Sequence, residues 1–82
     1  MTQIHWVGTS RKDLKAFPVS IRKKIGDLLF MVQDGLRPPN CKTLSGFGCA
    51  KVCEIRETDR DGTYRAVYTT VVQNKVYCLA CV

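Results

Sequence analysis

Between Gly62 and Val72 the chain reads Gly-Thr-Tyr-Arg-Ala-Val-Tyr-Thr-Thr-Val-Val, a run of β-branched and aromatic residues interrupted by a single arginine. Such a run fits a central strand, so whatever this chain folds into must contain a sheet. Arg65 then has three outlets: an exposed sheet face, an acidic partner, or an anionic ligand. An unpaired buried guanidinium would be too costly. Arg65 is therefore the first candidate for a functional side chain.

The flanking segments supply the rest of the sheet and its cover. Ile4-His5-Trp6-Val7 reads as a short first strand ended by Gly8, and Thr9 or Ser10 can cap a brief helix through Leu14. Pro18 opens a second helix running to the Gly35 stop, with Pro38-Pro39 preventing its continuation. Within it Ile21, Ile25, Leu28, Leu29 and Val32 form one apolar stripe at helical spacing, which should pack on the sheet. Arg22, Lys23 and Lys24 decorate its solvent side. From Cys41 the periodicity becomes that of strands: Lys51 to Arg56, then a polar turn over Glu57 to Gly62, Thr63 to Val72, a Gln73-Asn74 turn, and Lys75 to Val82. Short turns make successive strands antiparallel neighbours. The expected fold is α+β, with two N-terminal helices on one face of a twisted antiparallel sheet of three to four strands and the other face open.

Eighty-two residues suit a single domain, residues 1–82, with one modest core. Thirteen Lys plus Arg against seven Asp plus Glu give a net charge of +6, which favours a polyanionic partner, nucleic acid first and an acidic protein segment second. No apolar run is long enough for a signal peptide or a membrane span, so the expected compartment is the cytoplasm, with no membrane partner. The five cysteines, at 41, 49, 53, 78 and 81, are odd in number and carry no mark of secretion, which argues against a disulfide scaffold. Cys78-Leu-Ala-Cys81 has the spacing of half a zinc site that Cys49 or Cys53 could complete. On a regular strand, however, Cys78 and Cys81 face opposite sides, so free thiols and no metal are expected.

Along the long strand Arg65, Val67, Thr69 and Val71 share one side, and Tyr64, Ala66, Tyr68, Thr70 and Val72 the other. Neither side is cleanly polar, so either could meet the helices. If Arg65 lies on the open side, Lys42, Lys51 and Arg56 can gather near it as a positive surface that holds single-stranded RNA by phosphate contacts and stacking. The alternative is an ion pair within the sheet between Arg65 and Glu54 on the adjacent strand.

Four segments in register, Trp6 to Pro18, Lys42 to Gly48, Glu54-Ile-Arg56 and Gly62 to Tyr68, resemble the phage-derived, HigB-like branch of the RelE/ParE toxin superfamily. The resemblance spans nearly the whole chain. It implies the toxin of a type II toxin-antitoxin pair, a ribosome-dependent endoribonuclease acting on mRNA, partnered by a helix-turn-helix antitoxin and needing no cofactor. Residue by residue it implies that Arg65 contacts the scissile phosphate as the catalytic group, that Lys42 sits in a phosphate-holding loop with Arg56 and Lys51 also binding RNA, and that Glu54 and Tyr68 are supporting or structural. The resemblance departs at the last strand: Ala80 stands where relatives carry a histidine, and the basic segment they carry beyond it does not follow. That departure implies a toxin weakened by truncation, or a non-catalytic remnant that keeps the antitoxin- or RNA-binding surface; a gyrase inhibitor of ParE type is the weaker alternative. His5, the one histidine, sits on the first strand, where a structural role is expected.

Overall fold

The structure is a computed structural model that describes residues 3–39, 41–47, 50–70 and 75–82, with side chains described for these except 45–47, 50 and 51. It contains β1 (Gln3–Trp6), α1 (Ser10–Lys15), α2 (Val19–Gln33), β2 (Cys41–Phe47), β3 (Ala50–Asp59), β4 (Gly62–Thr69) and β5 (Lys75–Cys81). The strands form one five-stranded sheet in the order β1-β5-β4-β3-β2.

Two features of this sheet correct the expected three to four antiparallel strands. The first is β2: Cys41–Phe47 pairs antiparallel with β3, so Lys42 lies on a strand and not in a loop. Its Ser, Gly and Lys residues hide it from a reading based on apolar alternation. An edge strand needs only one hydrogen-bonded flank, and an irregularity between Thr43 and Ser45 breaks its alternation further. The second is direction. β1 pairs parallel with β5, in register from Gln3↔Lys75 to Trp6↔Cys78, making the sheet mixed. Strands β2 to β5 are a meander whose connections impose antiparallel pairing, but β1 reaches the sheet through two helices, and no tight turn dictates its direction.

Both helices cover the same face. Ile21, Ile25, Leu29 and Val32 of α2 are buried together with Leu14 of α1 against Cys53, Ile55, Ala66, Tyr68, Val76, Cys78 and Cys81 of the sheet, and Leu28 packs beside them half-buried. The apolar stripe read from the sequence is thus the core of the molecule. Helix α1 is pinned to the sheet by the Ser10 hydroxyl, which donates to the Cys78 carbonyl at 3.1 Å, next to the Val7 N–H on the same oxygen at 2.9 Å. Phe17, just past α1, packs on Tyr64 with ring centroids 5.0 Å apart.

The ends of the elements follow local chemistry. Pro18 precedes the first helical residue of α2 with extended backbone, one position earlier than a proline at N1. Gly35 ends α2 in the left-handed region (φ 80°), its N–H donating to the Val32 carbonyl while Leu36 N–H reaches Met31, the paired closure that a glycine permits best. The β3–β4 turn is tighter than the Glu57–Gly62 segment expected, because β3 continues to Asp59; the Asp59 carboxylate accepts from the Asp61 and Gly62 N–H groups and closes the turn.

Ile25 is fully covered at the centre of the α2–sheet contact, whereas Phe30 on the same helix is about half exposed. Ile25→Ala is expected to cost about 2–5 kcal/mol in urea unfolding, through lost burial and the cavity left behind. Phe30→Ser should change stability by less than about 1 kcal/mol. Equal denaturation midpoints for the two variants would contradict this layer assignment.

Candidate functional site

The face away from the helices is built by register. Glu54 and Arg56 alternate with the buried Cys53 and Ile55 along β3; across β4, Arg65 faces Arg56 and Val67 faces Glu54. On the other flank Lys42 faces Glu54. Paired residues share a side of a sheet, so Lys42, Glu54, Arg56, Arg65 and Val67 form one patch on the face the helices leave open. The sequence left open which side of β4 meets the core, and the packing answers it: Ala66 and Tyr68 are buried, and Arg65 points the other way.

At the centre, one carboxylate oxygen serves two cations. Glu54 Oε1 accepts from Arg56 Nε at 2.7 Å and lies 3.2 Å from Arg65 Nε. Glu54 is buried, but both arginine side chains are nearly half exposed, at 48% and 42%. The arginines themselves cover the carboxylate. The positive surface and the ion pair, alternatives in the sequence, therefore coexist. Arg56, Arg65 and Lys42 against Glu54 leave the patch with a formal excess of two positive charges. The hydrogen bond from Arg56 holds the Glu54 carboxyl below the usual carboxylate range; burial opposes this, and the charges of both arginines reinforce it.

The structure brings Arg65, Arg56, Glu54 and Lys42 together. Lys51 lies in backbone register with Gly46, and its side chain falls outside the described residues, as does Cys49. Tyr68 is on the opposite face, in the core, where its hydroxyl meets Cys41 Sγ at 3.0 Å; burial first, and then this contact, pushes the phenol well above its ordinary range. It is structural.

Two arrangements escape a sequence reading. His5 on β1 and Tyr77 on β5 face each other in register and stack with centroids 5.2 Å apart; Thr69↔Tyr77 pairing places them on the same open face as Arg65. The other corrects the cysteine geometry. The β4–β5 register jumps from Val67↔Ala80 to Tyr68↔Cys78, so Leu79 is an extra residue in β5. That bulge restores both Cys78 and Cys81 to the core face with their Sγ atoms 3.7 Å apart, not on opposite sides. The spacing was visible, but a bulge leaves no mark in it. The described cysteines are free thiols, and among the described residues no group of three His, Cys, Asp or Glu side chains could hold a metal ion. No described helix is long and apolar enough to cross a membrane.

The chain belongs to the family Phage derived protein Gp49-like (DUF891), whose model matches residues 12–82. The match includes both helices' apolar positions and the whole Lys42–Glu54–Arg56–Arg65 patch. No curated protein and no solved structure matches the chain.

The depressed Glu54 pKa makes stability depend on acidity with a definite sign. The ionised carboxylate contributes fully above its unfolded pKa of about 4.3 and loses that contribution as pH falls through the lower folded value. Glu54→Gln should therefore be less stable than the parent at neutral pH, with the gap closing as pH drops below about 4. Urea midpoints of both chains across this range are the check; a gap that stays constant down to the acid limit would show that Glu54 acts by packing alone.

Proposed function

We propose that this chain is an RNA-directed toxin of the RelE/HigB type, whose open sheet face holds the message backbone with Arg65 toward the scissile phosphate. The observation that carries the reading is the gathering of Lys42, Arg56 and Arg65 around one carboxylate on the face that the helices leave bare. The net charge of +6 adds long-range attraction for a polyanion. A guanidinium offers five N–H donors, and Glu54 engages Arg65 through Nε, so the outer nitrogens suit phosphate oxygens. Glu54 sets the orientation of the forks. The partners that fit this reading are mRNA on the ribosome and a helix-turn-helix antitoxin.

Phosphodiester cleavage by an adjacent 2′-hydroxyl needs a base, charge stabilisation of the phosphorane and an acid for the leaving 5′-oxygen. Arg65 supplies charge and stays protonated, so it moves protons poorly. Glu54 is held as a carboxylate by the arginines, which weakens it as a base. His5 is aligned, through Tyr77, with Thr69, four residues from Arg65 along β4, or about 13 Å of strand. Ala80, facing Val67 beside the cluster, carries no proton-transfer group. Charge without a nearby acid–base pair among the described residues favours tight backbone binding with slow cleavage. It also favours, as a second reading, a non-catalytic protein that retains the RNA- or antitoxin-binding face.

Fluorescence anisotropy with a single-stranded RNA oligonucleotide over a salt series tests the binding role. Arg65→Ala should weaken binding about tenfold and lower the salt slope by about one phosphate contact. Unchanged affinity and slope would remove Arg65 from the interface. Primer extension on translated messages, after induction without antitoxin, should show weak cleavage that Arg65→Ala abolishes; robust codon-linked cleavage would refute the slow-enzyme reading.

A further inference from the structure

The pair Cys78–Cys81 has no part in the proposed phosphate site, yet β5 joins the two directly. Both thiols are buried on the core face, at 0% and 6% exposure, with their sulfurs in contact at 3.7 Å because of the Leu79 bulge. The residue after Cys81 clamps Arg65: the Arg65 N–H donates to the Val82 carbonyl and the Val82 N–H to the Arg65 carbonyl, both at 2.9 Å. On the other side of the pair, the Cys78 carbonyl is fixed by the Ser10 hydroxyl and the Val7 N–H. The backbone of one cysteine is therefore anchored to α1 and β1, and the other cysteine sits next to the backbone that holds the arginine.

We propose that Cys78 and Cys81 form an oxidisable dithiol, closed to a disulfide by hydrogen peroxide, whose closure contracts β5 and loosens the backbone clamp on Arg65. A regular advance of three residues along a strand covers about 10 Å, whereas a disulfide holds its Cα atoms within about 7 Å. The bulge brings the sulfurs to contact. Drawing them on to a bond of about 2 Å must pull on the Leu79–Ala80 segment and on Cys81. Cys78 is anchored, so Cys81 and Val82 take up the movement.

The chemistry balances with peroxide as the oxidant. Both thiols are buried, so peroxide reaches them when β5 opens locally. The thiolate of Cys78 then attacks one peroxide oxygen; the O–O bond breaks, leaving a sulfenic acid and hydroxide, which takes up the proton the thiol released. The Cys81 sulfur, losing its proton, then attacks the Cys78 sulfur, and hydroxide leaves with that proton as a second water. Two thiols lose two electrons, and one peroxide becomes two waters. Cys78 suits the first step, since the Cys81 thiol lies in hydrogen-bond contact with its sulfur and favours its thiolate, while the same contact and burial push Cys81 upward. Disulfide closure stands on the thiol geometry alone; its consequence for RNA rests on the proposed role of Arg65.

The unaltered chain, treated with hydrogen peroxide and then alkylated, should lose the mass of two hydrogens, with peptide mapping placing the cross-link between Cys78 and Cys81. Cys81→Ser should instead gain oxygen at Cys78 without a cross-link. Alkylation of both thiols after treatment, oxygen addition without a cross-link in the unaltered chain, or a cross-link to another cysteine would overturn the dithiol. Amide hydrogen exchange of oxidised against reduced chain tests the coupling without RNA: the Arg65 and Val82 amides should exchange about tenfold faster once oxidised. Unchanged exchange at both would overturn the coupling, and neither result depends on whether the face binds RNA.

Discussion

Two arginines stand directly opposite one another on neighbouring antiparallel strands, an arrangement that like-charge repulsion disfavours, and Glu54 is what allows it. One of its oxygens lies within reach of both Nε atoms, so the two side chains are drawn toward one point. Replacing that carboxylate with a neutral group would leave the same register and the same charges, now repelling. The open face therefore has a fixed, oriented pair of guanidinium groups because of one buried acid shared by two half-exposed arginines.

The placement comes from the layers. Helices α1 and α2 deliver one apolar stripe and cover one face of the sheet, which draws the residues of alternating parity, Cys53, Ile55, Ala66, Tyr68, Cys78 and Cys81, inward. The opposite parity must then face outward as a set. Because β3 and β4 pair without irregularity from Val52↔Thr69 to Asp59↔Gly62, outward residues on the two strands align row by row, and Lys42 joins through β2. The core and the candidate site are the two sides of one pattern of alternation.

Much of this was legible in the chain. The α2 stripe is a strong signal because five apolar residues keep helical spacing between a proline and a glycine, and Arg65 stood out because strands seldom carry a lone arginine among β-branched neighbours. The Arg65–Glu54 contact was foreseeable as one of two options, since it needs only a short hairpin between their strands. Three things were not legible. Strand β2 is an edge strand of weak alternation; β1 has no turn to set its direction; and Leu79 inserts one residue into β5, reversing the parity of everything after it. Each is decided by tertiary pairing rather than by local preference, and the last turned two cysteines expected apart into a contact.

We propose that the helix-free face, organised by Glu54, is where an RNA backbone lies. Nuclear magnetic resonance of the isotopically labelled chain, titrated with a single-stranded RNA oligonucleotide, tests it most directly, because the arginine Nε–H groups report individually. The Nε–H signals of Arg56 and Arg65 and the backbone of Lys42 should shift with RNA, while Val19 and Phe30, exposed on the helical side, should not. Shifts confined to the helical side, or an Arg65 signal that stays put while RNA binds, would contradict it.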